Sequence, residues 1–372
     1  MITDKATVRL HLPYLDGLRG IACLAVILHH CVFHGARLNF GISYIDWMPR
    51  LLNLGYSGVE LFFVLSGFCL ALPMFRPEYR FAPKDYFFSR IRRLYPAYVI
   101  VLAILVLYGY LMAVIAPGSP FQVIPKPTFG DIVAGLLMIR TWGNTVFWTL
   151  LIELRWYCLL PLVVAALKWV DTTFSKRYLG ASVVLGLSVV VAYVYDRFGL
   201  HIDGVPGKLL FVIGPIPLYL PVLVSGVVIA QLHSELGKAK SLIKVIGTLA
   251  GIVLFVYSLT QFPQDPTTFS PMQRLLFSGM AATVLFVILV VNQPLQSLCS
   301  LPMFVKFGGV SYTAYLIHLP IVHIFRQVWP SGSMSTSLAG FIYYVVLPAG
   351  LVLLSFPVHA MIEKPFLARK VS

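Results

Sequence analysis

Charge is scarce in this sequence: of 372 residues only 11% are Asp, Glu, Lys or Arg, with 14 acids against 28 bases. So few charges cannot cover a soluble surface of that size. With 59% hydrophobic residues and a mean hydropathy of +0.86, they exclude an ordinary soluble globular chain. Long polar stretches are also missing, so no separate soluble domain is visible and residues 1–372 read as one unit without a fused extracytoplasmic domain. Cysteine is confined to Cys23, Cys31, Cys69, Cys158 and Cys299, with no CxxC pair and no Cys/His ligand spacing. That excludes a disulfide framework and the common zinc patterns, and no metal is expected. A cleavable signal pattern is lacking too, because Asp4, Lys5 and Arg9 precede the first apolar run and Asp16 and Arg19 interrupt its start. The first segment is therefore expected to remain in the mature protein.

What the chain does have is apolar runs of spanning length along its whole extent, at about 14–36, 51–73, 94–116, 145–169, 178–197, 208–231, 242–260, 272–291, 307–328 and 338–360. The predicted fold is all-α, a polytopic transmembrane helical bundle of about ten spans. A further apolar piece at 129–140 is too short to cross and lies on the surface or re-enters. Loop charges test this count. Arg76, Arg80, Lys84, Arg90, Arg92 and Arg93, then Lys168, Lys176 and Arg177, then Lys238, Lys240 and Lys244, and finally Lys364, Arg369 and Lys370 all fall on one side. The opposite loops hold mainly Arg37, Arg50, Lys126, Arg197 and Lys208. The positive-inside rule then puts both termini in the cytoplasm, and counting 129–140 as a crossing would invert every later loop. The net charge of +14 is thus first a topology signal and does not point to nucleic acid.

Against this background, polar groups inside apolar segments stand out. Ionisable side chains in a bilayer cost roughly 2.5–3.5 kcal/mol each, so they are kept where they face a partner, a substrate or a water path. The first span reads YLDGLRGIACLAVILHHC from Tyr14 to Cys31 and holds Asp16, Arg19, His29 and His30. At about 100° per residue the eleven-residue step from Arg19 to His30 returns to nearly the same face, roughly 16 Å along the helix. Asp16 falls within about 40° of that face and His29 points about 100° from His30. His30 is therefore the better partner for Arg19.

Further constellations follow in order. The second span, SGVELFFVLSGF from Ser57, places Glu60 and Ser66 among Gly58 and Gly67, which permit close helix approach. FFSRIRRLYPAY from Phe87 puts Arg90, Arg92 and Arg93 just before the third span, either as a topology anchor or as a phosphate-binding cluster. FWTLLIELRWY from Phe147 repeats Thr149, Glu153 and Tyr157 every four residues on one face, a hydrogen-bond hub or an orienting site. SYTAYLIHLP from Ser311 carries His318 inside the ninth span, and the tenth ends in IEKPF at Ile362–Phe366. As a lone intramembrane histidine, His318 reads more readily as a packing residue.

Taken together and in this order, the motifs resemble acyltransferase family 3 membrane proteins, over about residues 14–366. The resemblance implies an enzyme of the bacterial inner (cytoplasmic) membrane. It would move an acyl group, usually acetyl, from cytoplasmic acyl-coenzyme A to a hydroxyl of a carbohydrate, glycolipid or macrolide-like acceptor. The family's arginine and histidine pair maps onto Arg19 and His30, its Arg-x-x-Arg motif onto Arg90 and Arg93, and the acid of its WTLxxE motif onto Glu153. Acyl transfer from a thioester to an alcohol needs a base for the hydroxyl proton and a group that stabilises the oxyanion. His30 suits the base, with Glu153 or Asp16 as orienter, while Arg19 binds donor or stabilises charge. Arg90 and Arg93, with Arg92, would hold the phosphates of acetyl-CoA, and Glu60, Ser66, Tyr157 and His318 are candidate substrate-binding residues. Direct transfer is the default, because no cysteine or serine lies in a nucleophile motif. The alternative is a transporter or flippase using intramembrane His, Glu and Arg, although no internal repeat is visible. Acceptor choice is expected to reside in loops around 39–50, 117–131 and 201–208.

Overall fold

The computed structural model describes residues 12–35, 55, 57–176, 178–197, 215–238, 244–245, 247–253, 271–328 and 336–367. The expected acceptor loops at 39–50 and 201–208 lie outside these, as do Arg369 and Lys370. Among the described residues all regular structure is helical. The main helices are α1 Pro13–Gly35, α2 Ser57–Ala71, α3 Pro83–Ile115, α4 Phe129–Leu136, α5 Trp148–Thr173 and α6 Leu179–Arg197. They continue as α7 Ile216–Lys238, α8 Met280–Val291, α9 Gln293–Cys299, α10 Pro302–Val328, α11 Leu347–Ile362 and α12 Lys364–Leu367. Helices are what such a sequence must form in lipid, where every backbone polar group needs a partner within its own segment. Six of the described helices are long and apolar enough to cross a membrane, or seven if Phe277–Val291 and α9, bent by 103°, form one span. Their outward faces are apolar, with Leu107, Leu162 and Leu187 all exposed. This is the surface of an integral membrane protein, with lipid in the place of water.

Side-chain contacts fix the relative directions of six of these helices. Gly20, Cys23 and His30 of α1 meet Gly308, Ser311 and His318 of α10, so these two helices run parallel in constant register. Helix α2 is antiparallel to α1, since Gly55 beside Ala25 and Gly58 beside Ala22 proceed in opposite senses. It is parallel to α7, through Phe63 with Tyr219 and Phe68 with His233, and to α8, through Glu60 with Ser278 and Phe68 with Phe286. It is also parallel to α5, through Phe63 with Trp148 and the Met74 carbonyl with Lys168. Between α7 and α8 in the sequence, Gly251 of the described helical residues 247–253 packs on Val284 and Ile288 of α8.

The same geometry bears on the short apolar piece. If α4 crossed the layer, α5 would run opposite to α2, and it runs with it. Helix α4 is eight residues long, opened by a capping box in which Thr128 Oγ1 accepts from the Asp131 amide and Asp131 accepts from the Thr128 amide. Its last carbonyls, Gly135 and Leu136, accept from the hydroxyls of Tyr98 and Tyr95 at 2.8 Å each, well inside the 33-residue α3. Residues 116–147 therefore form a hairpin that folds back along α3 and returns to the start of α5.

Candidate active site

The spine of the site is the α1–α10 pair, and the DGLRG motif explains how closely these helices pack. A Cβ on Gly308 would stand 1.8 Å from the Asp16 carbonyl oxygen and one on Gly20 2.6 Å from that of Phe304, while one on Gly17 would stand 1.7 Å from that of Cys299 at the end of α9. Only hydrogen fits at those points, so the two helices approach backbone to backbone. Three positions further up, the Cys23 thiol donates to the Ser311 carbonyl at 3.3 Å. Seven positions beyond that, His318 Nε2 lies 3.0 Å from His30 Nδ1.

Hydrogen bonding assigns the protons on these two rings. His318 is fully buried and its Nδ1 lies 2.8 Å from the Tyr315 carbonyl, which can only accept, so the neutral ring carries its proton there and Nε2 is an acceptor. His30 Nδ1 faces that acceptor and also the Val26 carbonyl at 3.0 Å. Both partners require a proton on His30 Nδ1, which makes Nε2 the unprotonated, basic nitrogen of a neutral His30. The turn bearing His318 is held in its own right. Thr149 Oγ1 and the Tyr315 hydroxyl are 2.9 Å apart, and the Tyr315 hydroxyl is 3.2 Å from the Val146 carbonyl. His29 packs edge-on to His30, ring centres 5.3 Å apart, and does not replace it.

A second cluster surrounds Arg19, three turns lower on α1. Arg19 Nη1 donates to Asp16 Oδ1 at 2.7 Å and interacts electrostatically with Glu153 and Cys69. The Tyr157 hydroxyl donates to Glu153 Oε1 at 2.5 Å. Arg90 and Arg93 of α3 act on both Cys69 and Tyr157, and Tyr312 of α10 adjoins Glu153 and Tyr157. Arg90 stacks its guanidinium 5.2 Å over Tyr86, and its buried Nε has no hydrogen-bond partner among the described residues. A buried donor in that state fits a ligand oxygen.

Of the predicted site residues, His30 and His318 form one centre, and Asp16, Arg19, Glu153 and Tyr157 with Arg90 and Arg93 form a second, three turns apart along α1. Thioester and hydroxyl chemistry would use a base above and an anion-binding group of arginines below. A family model described as an acyltransferase domain matches residues 12–360. The chain belongs to acyltransferase family 3.

This acyltransferase domain is 24% identical over 355 residues to the peptidoglycan O-acetyltransferase OatA of Listeria monocytogenes, covering 86% of this chain and 51% of that protein. It is 24% identical over 394 residues to a putative O-acetyltransferase of Staphylococcus aureus strain COL, covering 96% and 57%. To the O-acetyltransferase OatA of Staphylococcus aureus it is 23% identical over 359 residues, covering 87% and 53%. The chain therefore spans about half the length of the relatives it matches. No solved structure matches it.

Within the family domain, geometry redistributes the predicted roles. Asp16 and Glu153 pair with Arg19 and Tyr157 and do not reach His30, whose partner is His318. Arg92 Nε donates to the Phe366 carbonyl at 2.6 Å and ties α12 to α3. Glu60, 1% exposed, accepts from Ser278 in the π-helical turn Leu275–Gly279. The buried Ser66 hydroxyl has no hydrogen-bond partner among the described residues. Sequence reasoning missed Asn144, Tyr315 and the Thr313–His359–Glu363 cluster, in which Glu363 Oε2 accepts from Thr313 at 2.7 Å and from His359 at 2.9 Å. Pro320, four residues after Leu316, was the available signal for Asn144, because a helix proline leaves a carbonyl in need of a donor.

Proposed function

We propose that this protein is an O-acetyltransferase that moves acetyl from acetyl-CoA, entering from the cytoplasm, to a hydroxyl of a cell-envelope carbohydrate presented from the opposite side. The observation that carries this reading is the His318–His30 hydrogen bond, which presents His30 Nε2 as a base. His30 Nε2 takes the acceptor O–H proton as that oxygen attacks the thioester carbonyl carbon. The carbon–sulfur bond then breaks, the carbonyl re-forms, and the coenzyme A thiolate takes the proton back from the His30 imidazolium. Arg19 lies too far from His30, roughly 16 Å by helical rise, to touch that oxyanion. It joins Arg90 and Arg93 in holding donor phosphates, with Asp16 and Glu153 fixing Arg19 and Tyr157. Ten spans with both termini cytoplasmic suit this route, since α1 and α10, the first and ninth of the expected spans, run parallel, and α2, α5, α7 and α8, the second, fourth, sixth and eighth, do likewise. Peptidoglycan is the acceptor named for the Listeria relative, and a related glycan is the reading here.

Purified protein given labelled acetyl-CoA and a glycan acceptor is expected to consume thioester and label the glycan. A folded His30→Ala variant should lose roughly 10²–10⁴-fold in kcat. Full activity in that variant would refute the base assignment. Solute uptake by wild type without thioester consumption would point to a transporter instead.

A further inference from the structure

Asn144 is an internal residue of the hairpin between α3 and α5, 3% exposed, with two hydrogen bonds that do different things. Its Oδ1 accepts from the Val146 amide at 3.3 Å and so caps the 3-10 turn Thr145–Phe147 that leads into α5. Its Nδ2 donates to the Leu316 carbonyl at 2.9 Å, 172 residues away on α10. That carbonyl needs an outside donor because its helical partner would be the amide of residue 320, and Pro320 has none. The opened turn is the one that carries His318, whose ring is aimed by the Tyr315 carbonyl and in turn holds His30 Nδ1.

We infer that Asn144 is a positioning residue for the His318–His30 pair, replacing the hydrogen bond that Pro320 removes and so fixing the turn that orients both rings. Proline keeps the turn open and Asn144 keeps it in one geometry. Residues 144–149 then act as a clamp, since Thr149 and the Val146 carbonyl hold Tyr315 in the same turn. Asn144 touches no reacting atom in this scheme. Its effect passes entirely through the direction of two imidazoles, and a 1 Å misplacement of such a group costs up to about a hundredfold.

The inference rests on the acetyl-transfer reading for its kinetic readout, so a spectroscopic one is paired with it. In full-length protein in nanodiscs, Asn144→Ala should lower kcat for labelled acetyl-CoA roughly ten- to a hundredfold with KM for acetyl-CoA unchanged. Asn144→Ser, which keeps an oxygen for the Val146 amide but falls short of Leu316, should do the same. Pro320→Ala restores the missing backbone donor, so adding Asn144→Ala to it should cost less than about threefold, non-additivity being the mark of two residues serving one bond. Side-chain nitrogen NMR of wild type should show His318 and His30 protonated at Nδ1. Asn144→Ala should mix the tautomers, and the double variant should restore them. Full kcat in Asn144→Ala, an equal loss in the Pro320→Ala background, or unchanged histidine spectra would each overturn the inference. Wild type without thioester turnover would refute the acetyl-transfer reading, and the NMR series would still decide the role of Asn144.

Discussion

His318 and His30 form one unit, because the proton on each Nδ1 is dictated by an acceptor that cannot donate. Replacing His318 by Ala should therefore lower kcat by roughly ten- to a hundredfold with little change in donor KM, while Gln, whose carbonyl can accept from His30, should retain more activity. Steady-state kinetics with acetyl-CoA would check both, and equal losses for Ala and Gln would show that shape alone matters. At the lower centre the opposite signature is expected. Arg90→Ala with Arg93→Ala removes charge-assisted bonds worth about 1.5–3 kcal/mol each, so KM for acetyl-CoA should rise at least tenfold while kcat changes less. Unchanged donor KM would exclude a phosphate role. Arg19, His30 and the arginines of α3 were legible as isolated oddities in apolar runs. The partnership of His30 with His318 was not, because the two lie 288 residues apart and nothing local in either segment names the other.

At the scale of elements, the α1–α10 crossing is the feature on which both centres depend, and its glycines can be told apart. A Cβ on Gly308 would collide with the Asp16 carbonyl, whereas one on the neighbouring Gly309 meets nothing within 4 Å. Gly308→Ala is expected to force the helices apart at a cost of about 1–3 kcal/mol or more, lowering both the melting temperature and activity. Gly309→Ala should be neutral or stabilising by up to about 1 kcal/mol, as alanine favours the helix. Thermal unfolding in detergent separates them, and similar melting temperatures for both would show that the crossing is looser than described. Most helix positions were readable from hydropathy alone. The packing of α4 was not: its length excluded a crossing, but only the hydroxyls of Tyr95 and Tyr98 on its carbonyls show that it lies against α3.

For the whole molecule, the topology proposed from helix directions and basic loops can be tested by labelling. Lys126→Cys, in the loop between α3 and α4, should react with a membrane-impermeant maleimide in intact cells, and Glu78→Cys should react only after lysis. The reverse pattern would invert the orientation assigned to the donor and acceptor sides. The sequence by itself determined the class of fold, because a chain so poor in charge must satisfy its backbone within helices in lipid. It also determined which polar side chains are costly enough to call for a purpose, and, through the order of six motifs, the family. The tertiary structure alone decided how those residues group: Asp16 and Glu153 with Arg19 and Tyr157, His318 with His30, Asn144 with the gap left by Pro320. The physical reason is that periodicity assigns a residue to a face of its own helix, while the partner across that face depends on which helices meet, in what direction and in what register. In this protein those choices are made by glycines that admit a bare backbone contact, and they place a histidine on a neighbouring helix within 3.0 Å of another.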